Sequence, residues 1–86
     1  MNEALFGWAM QNHGEARITD LRFVLLLLQY HSDDEVELDD ETWRLTCSEI
    51  GCSGNSLTRA LKRLDAGGVI EWVDRRVRIA TGYRNA

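Results

Sequence analysis

Two apolar helical stripes, separated by a short turn with one glycine at its start, constrain this chain more than any other feature. Trp43, Thr46, Cys47 and Ile50 fall at i, i+3, i+4 and i+7, and Leu57, Ala60, Leu61 and Leu64 form a second stripe beyond Gly51. Each set lies on one side of a helix with 3.6 residues per turn. Glycine suits the junction because it enters the left-handed backbone region without steric cost. The small Cys47 sits where the two helices would cross closely, and Leu57 with Ala60 or Leu61 would lock the second helix onto the first. The stretch from Trp43 to Leu64 therefore has the spacing of a helix-turn-helix.

Local signals set the boundaries. Leu38, Asp39 and Trp43 fit the N′, N-cap and N4 positions of a hydrophobic staple, so a helix is expected over about 40–50. Acids in its first turn suit the helix dipole. Ser53, three residues before Ser56, is placed to cap a helix over about 54–66, and Gly67-Gly68 stops it. Upstream, Leu5, Trp8 and Ala9 mark a helix over about 3–12. Thr19 or Asp20 can cap another running over about 20–30, with Leu21, Val24, Leu25 and Leu28 as its main stripe and Phe23, Leu26 and Leu27 as a second apolar face. Downstream, Val69–Val73 and Val77–Ala80 read as short β-strands joined at Asp74-Arg75-Arg76, a hairpin or wing over about 69–80. Residues 81–86 read as a frayed tail. The expected fold is mainly α with a small β-hairpin, one domain over 1–86. Its expected core is Leu21, Val24, Leu25, Leu28, Trp43, Ile50, Leu57, Leu61, Leu64 and Ile70, with Trp8 also inside and Trp72 read first as core, base stacking being the other reading.

With 86 residues the chain can bury one modest core, and it is too short for a typical barrel or doubly wound enzyme fold. No nucleophile–base pair and no phosphate-cradling glycine motif appears, so an enzyme is not expected. Cys47 and Cys52 lack a second pair and read as free thiols. His13 and His31 lack partner ligands, so neither a metal nor another cofactor is expected. The longest apolar run, Phe23 to Leu28, is far too short for a bilayer, and no signal peptide is visible; a cytoplasmic protein without a membrane role is the expectation.

Charge is divided along the sequence. Residues 1–54 carry eleven acids and three bases, and residues 55–86 carry three acids and seven bases, within a total of −4. Such a division suggests one face for a polyanion and another turned away from it. On the helix over 54–66, Asn55, Ser56, Arg59, Lys62 and Arg63 fall together opposite the apolar stripe. Arginine and asparagine can hold guanine and adenine edges with paired hydrogen bonds, while serine and lysine more often hold phosphates. Arg75, Arg76 and Arg78 are candidate wing contacts to phosphate or to the minor groove; the other reading is an edge strand guarded by charge. The run DDEVELDDE over 33–41 reads first as a solvated acidic loop.

The segments RFVLLLLQY (22–30) and IGCSGNSLTRALKRLDAGGVI (50–70) resemble the winged helix-turn-helix domains of phage and plasmid replication initiators and related small regulators. The resemblance spans about residues 20–75. It implies a turn at Gly51–Gly54, a recognition helix starting near Ser53 and a wing over Gly68–Ala80. Cys47 stands where alanine is usual, and the link before the third helix is unusually acidic. The implied function is sequence-selective binding of double-stranded DNA, as a transcriptional regulator or a replication-initiation domain; the divided charge adds the expectation of weak binding to random DNA, because few phosphates are neutralised. A homodimer is also expected, because the helix over 20–30 is apolar on two faces. The alternative is an acidic winged-helix protein that binds a host protein, such as a phage inhibitor of a nucleic-acid-binding defence complex. There Asp33, Asp34, Glu35, Glu37, Asp39, Asp40 and Glu41 would imitate a phosphate row.

Overall fold

The computed structural model describes residues 3–30 and 35–80. They form four helices and three strands: α1 (Glu3–Asn12), α2 (Ile18–Tyr30), β1 (Glu35–Glu37), α3 (Asp40–Ile50), α4 (Gly54–Ala66), β2 (Ile70–Val73) and β3 (Arg76–Ile79). The domain is mainly helical, with a small antiparallel sheet in the order β1-β3-β2. None of the helices described is long and apolar enough to cross a membrane. The tail over 81–86, and Asp33 and Asp34 of the acidic run, lie outside the described residues.

The caps of α3 and α4 explain why these helices begin and end where they do. The Asp39 carboxylate accepts the Thr42 N–H at 2.8 Å, and the Ser53 hydroxyl accepts the Ser56 N–H at 3.1 Å. Each side chain satisfies a backbone donor that the first turn leaves without a partner. Leu38 is buried and Trp43 half-buried against the same core, as the staple requires. Gly51 ends α3 at φ 79° and ψ 41°. At the other end of α4, the Val69 N–H reaches the Leu64 carbonyl at 3.0 Å, and Gly68 supplies the left-handed residue at φ 76°.

α2 departs from the expected helix in two ways. It starts at Ile18, with the Leu21 N–H on the Arg17 carbonyl at 3.0 Å, so neither Thr19 nor Asp20 is its cap. Its buried face is also rotated. Phe23, Val24 and Leu27 are at most 2% exposed, whereas Leu25, expected in the core, is 48% exposed. Leu21 and Leu28 pack at the core's margin. α2 packs against α1, α3 and α4 together, so an almost continuous aliphatic segment does not reveal which of its faces is innermost. Arg22 and Gln29 do: with Leu25 and Leu26 they line the outward groove beside Glu49 and Ile50.

The sheet also corrects the sequence reading. Residues 35–37 of the acidic run are a strand, not a loop, so the wing is backed by a third strand. Val36 pairs with Val77, while Glu35 and Glu37 stand opposite Arg78 and Arg76. An apolar residue between two acids gives the in-out alternation of a half-buried strand, and opposite charges across the ladder favour the pairing. The hairpin turn is Asp74-Arg75 alone, since Arg76 already pairs with Val73. Asp74 takes φ 55° there.

The core draws on every helix and on two of the strands: Leu5 and Trp8 from α1, Phe23, Val24 and Leu27 from α2, Ile50 from α3, Leu57, Leu61 and Leu64 from α4, and Ile70, Val77 and Ile79 from β2 and β3. Trp72 packs against it half-buried, and its indole N–H is buried without an acceptor.

Candidate nucleic-acid interface

α4 presents its polar face because its opposite side is held firmly. Leu57, Ala60 and Leu61 are fully buried and Leu64 nearly so. That leaves Asn55, Arg59 and Lys62 exposed, one turn apart, with Ser56 and Arg63 half-buried beside them. The five residues are together, but they are not equivalent. Ser56 belongs to the cap: the Ser53 hydroxyl donates to the Ser56 hydroxyl at 3.1 Å. Arg63 is committed to Asp20 through two short hydrogen bonds. Its bond to that carboxylate holds the guanidinium pKa above its ordinary value. Arg59 lies back along its own helix, its Nε donating to the Asn55 carbonyl at 3.4 Å, a long bond that a better acceptor can replace.

Beside this face an open notch of about 320 Å³ runs between the start of α2 and α4, lined by Arg17, Ile18, Thr19, Ser56, Arg59 and Arg63. Arg17 and Thr19 were not expected at the site. No periodicity connects residues 17–19 with 56–63; the link is tertiary, through the Asp20–Arg63 pair. The notch unites two arginines with no ion pair among the described residues, Arg17 and Arg59, with two hydroxyl side chains.

The three wing arginines are arranged differently. Arg75 is 3.1 Å from Asp40, Arg76 is 3.6 Å from Glu35 and Arg78 is 3.4 Å from Glu71. All three pairs are solvent-exposed, and each contributes little to stability. Their consequence is local charge cancellation. The acidic and basic halves of the sequence are interleaved in space, because β1 lies directly against β3. The expected separation into an acidic face and a basic face therefore does not hold at the sheet.

The acidic run is likewise already in use. Asp39 caps α3, and the Thr42 backbone and side chain hold its carboxyl below the usual value. Glu35 and Asp40 face the wing arginines, while Glu37 and Glu41 remain exposed without an ion pair among the described residues. Among those residues no group of His, Cys, Asp and Glu has the arrangement of a metal site. Comparisons of the chain with protein-family models, with curated proteins and with solved structures find no match.

Proposed function

We propose that this chain is a winged helix-turn-helix protein that binds double-stranded DNA, with α4 as its reading helix in the major groove. The order α2, β1, α3, α4 and the β2–β3 hairpin, preceded by α1, supports the fold assignment, as does the left-handed Gly51 between α3 and α4. The observation that carries the functional reading is the exposed Asn55, Arg59 and Lys62 face, without an ion pair to a carboxylate among the described residues and adjoining the notch with Arg17. Asn55 and Arg59 can read adenine and guanine edges; Lys62 and Arg17 can hold flanking phosphates. With the wing arginines paired, few phosphates are neutralised, so binding leans on base contacts and is weak on random sequence.

The role that fits is a phage- or plasmid-type regulator or replication-initiation domain, on the resemblance alone. A homodimer would set two α4 helices on half-sites about 34–36 Å apart, with Leu25 and Leu45, 48% and 59% exposed, among the apolar residues a second copy could cover. A second reading, a host-protein partner on the acidic run, draws support from β1, which sets Glu35 and Glu37 on a hydrogen-bonded strand. Fluorescence anisotropy with duplex DNA at low and moderate salt separates the two. DNA binding with a shallow salt dependence supports the first reading. No binding at low salt, with loss of a protein partner when Glu37 and Glu41 are neutralised, supports the second.

A further inference from the structure

Cys47 and Cys52 stand on either side of the bend between α3 and α4. The Cys52 N–H donates to the Cys47 carbonyl at 3.0 Å, and the Gly51 N–H donates to the same carbonyl at 2.8 Å. With Gly51 left-handed, this is the ending in which the third residue before a helix's final residue and the second residue after it bring their side chains together. Those two positions are usually aliphatic; here both carry thiols. Both are free, half-buried and packed at the edge of the core. A main-chain hydrogen bond between the same two residues keeps their Cα atoms within the reach of a disulfide, about 4.4–6.8 Å. Burial, followed by the charge and hydrogen bonding of the neighbouring Cys52 sulfur, pushes the Cys47 thiol up.

We infer that Cys47 and Cys52 are a redox-active dithiol, which a small-molecule disulfide converts to an intramolecular bridge across the helix turn. In the first exchange the Cys52 thiolate attacks one sulfur of the oxidant, forming a mixed disulfide and releasing one thiolate. Cys47 then gives its proton to solvent and attacks the Cys52 sulfur, releasing the second thiolate. The protein loses two electrons and two protons, and the oxidant is reduced to two thiols. Attack in the opposite order gives the same bridge. The bridge closes a ring from Cys47 to Cys52 and fixes the bend that carries α4. This inference does not depend on the DNA reading.

The test is incubation of the full chain in glutathione buffers of increasing oxidised fraction, followed by intact-mass measurement, alkylation and thermal melting. The native protein is expected to lose two hydrogens and both alkylation sites together, retaining no glutathione. Its melting midpoint should rise by roughly 5–15 °C and return on reduction by a dithiol. Cys47→Ser should instead accumulate a glutathione adduct on Cys52. A wild-type adduct that persists, a bridge between two chains, a midpoint that falls, or no oxidation even in fully oxidised glutathione would overturn the inference.

Discussion

Arg63 on α4 grips Asp20 on α2 with a two-pronged contact, Nε to one carboxylate oxygen at 2.9 Å and Nη2 to the other at 2.7 Å. The Asp20 side chain is only 8% exposed and that of Arg63 is 37% exposed, so the carboxylate depends on the guanidinium more than the reverse. The pair holds the start of α2 against the last turn of α4, and Arg63 lines the notch beside Arg59. Arg63→Met should cost about 1–3 kcal/mol, because it strands a buried carboxylate, with the lower part of the range favoured by Arg63's exposure. Adding Asp20→Asn should restore part of that loss. Urea denaturation of the four members of the cycle measures the coupling; a neutral Arg63→Met would show that the pair contributes nothing.

Acid should loosen the start of α3. The Asp39 carboxyl is held below its ordinary value of 3.8, chiefly by the Thr42 backbone N–H. A depressed folded-state pKa means that the unfolded chain takes up the proton more readily. The stabilisation is therefore present above pH 3.8 and is lost as pH falls through the folded value. An NMR titration should place the Asp39 midpoint below 3.8. Asp39→Ala should lower the thermal midpoint at neutral pH, and the gap from wild type should narrow as the capping carboxylate protonates.

Two left-handed positions should respond in opposite directions. Gly51→Ala forces a side chain into φ 79° and should destabilise by about 1–2 kcal/mol. Asp74 already holds φ 55° without being glycine, so Asp74→Gly should stabilise by about 0.5–1 kcal/mol if relief of strain exceeds the added chain entropy. Thermal melts of the two variants check both signs.

Neutralising the carboxylates that face the wing should strengthen binding to any duplex. Glu35→Gln, Asp40→Asn and Glu71→Gln together release Arg75, Arg76 and Arg78 from their partners. Random-sequence affinity should rise, and the salt slope should steepen by up to about 0.9 for each arginine that gains a phosphate. Affinity measured against salt concentration tests this, and an unchanged slope would show that the wing lies away from DNA.

What was legible in the residues was the local chemistry. Asp39, Gly51 and Ser53 act within a few positions of themselves, and the α3 and α4 boundaries they mark, Asp40–Ile50 and Gly54–Ala66, are the ones observed. The polar face of α4 followed from the same periodicity. Non-local pairing was not legible. β1 is three residues long and becomes a strand only by pairing with β3, some forty positions on. Arg63 lay on the expected reading face, but Asp20, 43 positions away, commits it to structure. A sum of charge along the chain does not show that Arg76 meets Glu35 across β3 and β1, that Arg75 meets Asp40 at the start of α3, or that Arg78 meets Glu71 across the hairpin.

Selection of duplexes from a random-sequence pool, followed by competition between wild type and Arg59→Ala on the enriched duplex, tests the central claim most directly. The account predicts that wild type enriches a defined sequence. It further predicts that Arg59→Ala weakens binding there by about 10- to 100-fold and relaxes preference at one base pair, while Arg76→Ala, whose guanidinium already faces Glu35, stays close to wild type. A pool with no enriched sequence and no duplex retained at low salt would contradict the account.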